Sequence, residues 1–161
     1  MILERGSGDL RAPRRKELTM ASFERKLDRI SLRRLEETRS DFVDVDDIIF
    51  ILTAEAARRK LDADSTGRRL AFPSLVLRTE RRWYKGPAGR SATQLLAVLD
   101  AKFMGANKGV WVNTRHLSSS DLDCKPARVG AAVLNPRGTR QVEWVQVSRR
   151  QRQALKKRFE P

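Results

Sequence analysis

The 161-residue sequence contains a single cysteine and a single histidine, and this scarcity excludes several kinds of site. With Cys124 alone, no disulfide can form within the chain. With His116 alone, neither an HExxH zinc helix nor a Cys/His zinc cluster can form. A Ser/His/Asp hydrolase would have to combine His116 with Ser118, Ser119 or Ser120, and no glycine pattern of a nucleophile elbow surrounds these serines. We therefore expect a protein that is not an enzyme.

Long apolar runs and glycine-rich phosphate loops are also missing. The longest apolar run, residues 48–52, is far shorter than the ~20 residues that cross a bilayer. Because the N-terminus has no apolar segment typical of a secretory signal, we expect a cytoplasmic location. Residues 105–109 contain two glycines but lack the Walker spacing, and they follow a predicted helix instead of a strand.

The positive charge is concentrated in one half of the chain. Of the net charge of +14, residues 81–161 contribute +12, from seventeen Lys/Arg against five Asp/Glu. A neutral half joined to a strongly basic half is typical of a scaffold that carries a surface for polyanions. The sequence thus predicts a flexible basic lead (1–19), a helical scaffold region (20–80), a basic α+β nucleic-acid-binding region (81–148) and a basic C-terminal helix or tail (149–161).

Hydrophobic periodicity predicts an α+β protein whose N-terminal part is helical. Apolar residues at helical spacing predict one helix over 22–38 and a second over 44–61. The second begins with aspartates and ends with basic residues, an arrangement that suits the helix dipole. Its strongly apolar character also fits contact with a protein partner or with a second copy of the chain.

Two further helices are predicted in the basic half. The clearer one covers residues 92–104, where Ser91 and Gln94 have the spacing of a capping box. The other is the basic segment 149–159, which follows Ser148 and contains few apolar residues.

The remaining segments predict a small antiparallel sheet. Its strand candidates are rich in β-branched residues and cover 110–114, 130–134 and 139–147. The turn at 135–138 joins the last two into a hairpin. Residues 70–78 are predicted as an extended stretch or a short edge strand, because Pro73 cannot donate a hydrogen bond in a central strand.

Basic and aromatic residues alternate through the basic half, as in proteins that bind single-stranded nucleic acid. In those proteins cations follow the backbone and aromatic faces stack on bases. We predict stacking by Trp83, Tyr84 and Trp111, with no cofactor and no metal. We predict backbone contacts from the basic residues of the same region, Arg81, Arg82, Lys85, Arg90, Lys108, Arg115, Lys125, Arg128, Arg137 and Arg140.

A family resemblance covers roughly residues 83–147. The matching positions are the entry aromatic, a leucine pair, a strand and a basic turn, namely Trp83, Leu95, Leu96, Trp111, Thr114, Lys125, Arg128 and Gly130. With these features the segment resembles the N-terminal single-stranded-DNA-binding domain of ArdC-type antirestriction proteins of plasmids and other mobile elements. The resemblance implies single-stranded DNA as the target and a role in the maintenance, transfer or regulation of mobile DNA.

Other functions stay open from the sequence. The chain could be an RNA-binding or ribonucleoprotein subunit, or a transcription regulator for double-stranded DNA with a DNA-binding helix pair within 20–61. A metal nuclease could use Asp44 and Asp47, which have helical i,i+3 spacing. Because carboxylates at a helix start more often stabilise the helix dipole, the nuclease is the least favoured of these alternatives.

Overall fold

The computed structural model describes residues 27–64, 74–87, 89–99 and 102–159, with residues 61–64 described by their backbone alone. The predicted lead over 1–19, the first residues of the predicted helix 22–38, and Pro73 lie outside these ranges.

The described chain is dominated by antiparallel strands. These are β1 (Arg29–Arg34), β2 (Ser40–Asp44), β3 (Ile48–Thr53), β4 (Leu75–Thr79), β5 (Trp83–Lys85), β6 (Phe103–Asn107), β7 (Val110–Asn113), β8 (Leu117–Asp121), β9 (Arg128–Leu134) and β10 (Arg140–Gln146). The helices are α1 (Ala54–Asp64), α2 (Ala92–Val98) and α3 (Arg149–Phe159). A large sheet has the order β2-β1-β5-β4-β3-β7-β6, and a small sheet has the order β10-β9-β8.

The central strands β3 and β4 of the large sheet are buried on both faces. On one face Phe50 packs in a core with Val129 of the small sheet and Leu155 of α3. On the other face Ile51 packs in a second core with Leu95 of α2. Because successive residues of a strand point to opposite faces, the unbroken apolar run of β3 supplies both cores.

The described residues between 27 and 53 form strands and one 3-10 turn, and the described chain is mostly β, so the predicted α+β fold with a helical N-terminal part is wrong. The described part of the predicted helix 22–38 forms β1, which pairs with β2 as an antiparallel hairpin. In β1, Leu32 is buried and Ile30 half-buried, whereas Ser31 between them is exposed. This is the two-residue period of a strand. This period was not recognised in the sequence because Leu27 and Ile30 also have helical spacing.

The predicted helix 44–61 is divided among three elements, so it cannot be the partner-binding helix that its sequence suggested. Residues Val45–Asp47 form a short 3-10 turn, β3 follows, and α1 begins only at Ala54. The strand β3 lies between β4 and β7 in the centre of the sheet. A short apolar run with β-branched residues suits a strand that is covered on both faces.

The helix predicted over 92–104 begins as expected and ends early. The capping box is confirmed, since Gln94 N donates to Ser91 Oγ at 3.2 Å and Ser91 N donates to Gln94 Oε1 at 2.9 Å. The helix ends at Val98, and Phe103 and Met104 belong to β6, which pairs with β7.

Several other elements agree with the sequence predictions. The hairpin of β9 and β10 and the basic helix over 149–159 are confirmed. Residues 110–113 form the strand β7 as predicted, but it belongs to the large sheet, and β8 takes its predicted place in the small sheet. The extended stretch over 70–78 contains β4, which is a central strand and not an edge strand because it pairs with both β3 and β5. The large sheet therefore combines strands from both sides of residue 80.

Candidate nucleic-acid interface

A basic cleft lies between the first turns of α3 and the loop that joins β8 to β9. The cleft has a volume of about 430 Å³. Its lining consists of polar side chains only, namely Lys125, Arg149, Arg152, Gln153 and Lys156. We call this surface the α3 cleft.

The position of α3 follows from a few contacts with the core. Leu155 is fully buried, and it is the buried residue of this otherwise polar helix. At the start of the helix, Ser148 N donates to the carbonyl oxygen of Ala106 in β6 at 2.8 Å, and Val147 N donates to that of Ala127 at 2.8 Å. These bonds hold the N-terminal half of α3 against β6 and against the β8–β9 loop, with its basic residues outward.

Asp123 joins the two walls of the α3 cleft. Its Oδ1 lies 3.3 Å from Lys156 Nζ and 3.5 Å from Arg152 Nη2. The hydrogen bond from Lys156, supported by Arg152, holds the pKa of Asp123 below its ordinary value. The carboxylate is therefore charged at neutral pH, and it already occupies a position between two cations where an external anion would bind.

Lys108 lies at the same end of the molecule as the α3 cleft. It is exposed in the turn between β6 and β7, two residues after Ala106, which accepts the hydrogen bond from the start of α3. The next residue, Gly109, has φ of 76°, and a Cβ there would lie 2.4 Å from Thr53 Oγ1. Only glycine fits this close turn without strain.

A second set of predicted residues gathers at the opposite end of the small sheet. Leu134, the last residue of β9, donates its N–H to the carbonyl oxygen of Glu80 at 2.8 Å, and its own carbonyl accepts from Arg78 Nη2 at 3.3 Å. The β4–β5 turn is thereby held beside the β9–β10 turn. The basic residues of these two turns, Arg81, Arg82, Arg137 and Arg140, form what we call the hairpin-tip patch.

The aromatic residues that were predicted to stack on bases are largely buried in the two cores. Tyr84 is 5% exposed, and its hydroxyl donates to Asp41 Oδ2 at 2.8 Å. Burial, followed by this hydrogen bond, raises the pKa of Tyr84 to about 12. Trp83 and Trp111 are partly buried against the two cores. Tyr84 thus has no free ring face, and the two tryptophans present only part of theirs.

The other predicted cations belong to neither group. Arg115 is paired with Asp46 at 3.2 Å on the large sheet, and Arg90 is exposed just before α2. Lys85 is half-buried in β5. Arg128 lies 4.0 Å from the ring centroid of Trp144, on the exterior of the small sheet.

Most residues of the α3 cleft were not among the predicted site residues. Only Lys125 was predicted individually. Arg149, Arg152, Gln153 and Lys156 belong to the predicted basic helix, which was expected either to dock through Leu155 and Phe159 or to become ordered on a polyanion. A signal was present, because the first turn of α3 contains arginines and no acidic residue. The positive end of a helix dipole disfavours such cations, so their presence requires another reason.

The described residues contain no group of three or more His, Cys, Asp or Glu side chains arranged to hold a metal ion. Asp44, which the nuclease alternative required, ends β2 and pairs with Arg29 at 3.2 Å. No helix in this part of the chain combines the length and the apolar character that a bilayer crossing requires.

Comparison with protein-family models, with curated proteins and with solved structures finds no match for the chain. The ArdC-type resemblance of residues 83–147 therefore stays a prediction.

Proposed function

We propose that this chain is a non-catalytic, cytoplasmic nucleic-acid-binding protein that holds the phosphate backbone in the α3 cleft. The observation that carries the proposal is the convergence of four cationic side chains, from a loop and a helix, on one concave surface. Among the described residues, Asp123 is the carboxylate paired with them. The local charge therefore stays strongly positive.

The chemistry of these side chains suits phosphate. Arginine offers a rigid fork of donors that matches two phosphate oxygens, and lysine adds a compact positive charge. A protein that neutralises backbone phosphates with such residues releases condensed counterions, which contributes a large, salt-dependent part of the affinity. The net charge of +14 attracts any polyanion over longer distances.

We infer that the preferred target is double-stranded DNA. Single-strand binding gains much of its affinity from bases that stack on exposed aromatic rings. Here Tyr84 is buried, and Trp83 and Trp111 pack against the cores. Cations on a docked helix and on a tight turn can contact the phosphates of a duplex without such rings.

The test compares matched duplex DNA, single-stranded DNA and RNA by fluorescence anisotropy across a salt series. The site variant is Arg149→Gln/Arg152→Gln. The control is Arg33→Gln/Arg39→Gln, which removes the same charge from exposed positions around β1, five strands from β6 in the sheet. We expect the wild type to bind duplex DNA most tightly. In a plot of log binding constant against log salt concentration, the slope of the site variant should be shallower by about 0.9 for each phosphate contact removed.

Three results would contradict this proposal. Equal losses in the site and control variants would show that the overall charge, and not the α3 cleft, attracts the nucleic acid. Tighter binding to single-stranded DNA, weakened by Trp83→Ala, would instead support stacking and the ArdC-type resemblance with its mobile-DNA setting. A preference for RNA would favour the ribonucleoprotein alternative.

A further inference from the structure

The hairpin-tip patch is a structural unit made by two separate parts of the chain. The bond from Leu134 N to Glu80 O and the bond from Arg78 to Leu134 O join the β4–β5 turn to the end of β9. The β9–β10 turn is itself closed by hydrogen bonds from Gly138 N to Asn135 O and from Asn135 N to Thr139 O, at 2.8 and 2.9 Å. The basic side chains of the patch are therefore displayed on ordered turns.

Positive charge exceeds negative charge at this patch, where four arginines accompany one exposed carboxylate, that of Glu80. Arg81, Arg137 and Arg140 are exposed. None of the ion pairs formed between described residues includes any of these three arginines. In this they differ from Arg29 and Arg115, which are paired with aspartates, and resemble exposed arginines elsewhere such as Arg33 and Arg39.

The hairpin-tip patch and the α3 cleft lie at opposite ends of one rigid strand. The strand β9 has seven residues and pairs with β10 along its full length. At ~3.4 Å per residue, its ends are about 20 Å apart. Its inward side chains, including Val129 and Val133, are buried in the core, so this separation is fixed.

The outer face of the small sheet, between the two basic ends, offers little to a polyanion. Val142 and Trp144 cover Gly130 there, where an added Cβ would meet Val142 Cγ1 at 2.5 Å. Arg128, a cation of this face, stacks on Trp144 and pairs with Asp121 at 3.4 Å. A single duplex lying along the strands would gain few phosphate contacts between the two ends.

We propose that the hairpin-tip patch is a second phosphate-binding surface, so that one molecule holds two segments of duplex DNA, one at each end of the small sheet. This inference rests on the proposed function, because the α3 cleft supplies the first of the two surfaces. The protein would then bridge DNA segments as a monomer.

A capture experiment tests the bridge. One biotinylated duplex is immobilised and loaded with protein, free protein is washed away, and a second, fluorescent duplex of unrelated sequence is added. The tip variant is Arg81→Gln/Arg137→Gln, with Arg33→Gln/Arg39→Gln as the control of equal charge. The protein and both duplexes are quantified after elution.

We expect the wild type and the control variant to capture the second duplex, with one protein for each captured pair. The tip variant should bind the immobilised first duplex as tightly as the control variant does. It should capture little of the fluorescent second duplex. Arg81→Lys/Arg137→Lys should restore the capture, because lysine keeps the charge. A thermal unfolding midpoint equal to that of the wild type will show that the tip variant is folded.

The outcomes separate this inference from the proposed function. If the wild type binds the first duplex and captures no second one, the bridge is refuted and the α3 cleft proposal stands. Capture that survives equally in the tip variant would also refute it, because another surface would then hold the second duplex. If the first duplex is not bound at all, both proposals fail.

Discussion

The docking of α3 through one side chain leads to a prediction for Leu155→Ala. Leu155 is fully buried, and the other apolar contact at the end of the helix, Phe159, is only half-buried. Replacing a buried leucine by alanine typically costs about 2.7–5.0 kcal/mol. An eleven-residue helix is only marginally stable without tertiary contacts. We therefore expect α3 to detach locally while the two sheets stay folded.

Hydrogen exchange followed by mass spectrometry measures this detachment directly. Since ~1.4 kcal/mol corresponds to a tenfold change, the loss should raise the opening equilibrium of residues 149–159 roughly a hundredfold to several thousandfold. Duplex affinity should fall by the fraction of molecules in which α3 is detached. The matched control is Leu95→Ala in α2, which is equally buried but lies in the core on the opposite face of the large sheet. It should leave both α3 exchange and affinity near wild type.

Two results would refute this reasoning at different steps. If exchange over residues 149–159 rises no more in Leu155→Ala than in Leu95→Ala, then Leu155 does not anchor the helix. If exchange shows that α3 is detached in most molecules and duplex affinity is still unchanged at every salt concentration, then the α3 cleft is not the binding surface.

Three further substitutions give shorter predictions. Asp123→Asn should strengthen duplex binding and steepen its salt dependence in the anisotropy assay, because a carboxylate between two cleft cations is neutralised. Hydrogen bonds from Arg34 and then from Tyr84 lower the pKa of Asp41 to about 2, which implies stability that is lost as the pH falls from 3.8 towards 2. Because Tyr84→Phe removes the second of these bonds, its urea unfolding should show a shallower loss, while Arg34 keeps part of the effect. Gly130→Ala should lower the free energy of unfolding by about 1–3 kcal/mol, because the new Cβ meets Val142.

The parts of the fold that were predicted correctly depend on local signals. The capping box of Ser91, the turn between β9 and β10 and the basic helix α3 each need only a few neighbouring residues to be specified. The errors concern segments whose apolar residues fit two periods. Residues 48–52 are apolar at every position, so periodicity could not separate a buried helix from a strand buried on both faces. Residues 48–52 form a strand because they pair with β4 on one side and with β7 on the other.

The candidate site was predictable in composition and not in arrangement. The concentration of cations after residue 80 is visible in the sequence. Their division into two groups depends on contacts between distant segments, such as the bond that joins Leu134 to Glu80. Tyr84 was predicted to stack because it lies in a basic segment. The alternation of β5 turns it inward while its neighbours Trp83 and Lys85 stay half-exposed.

The arginines at the start of α3 connect the fold to the proposed function. A folded chain gains stability when acidic residues occupy the first turn of a helix, and α3 has arginines there instead. Residues that oppose a local rule without a structural gain are expected mainly at functional sites. Here Leu155 docks the helix and Arg152 pairs with Asp123, whereas Arg149 belongs to none of the ion pairs formed between described residues and is not needed to hold the helix. A bound phosphate would remove the conflict, because it would neutralise these arginines and also favour the positive end of the helix dipole. Arg149 should therefore destabilise the free protein slightly and stabilise the complex. Arg149→Gln should raise the free protein's stability while it weakens duplex binding.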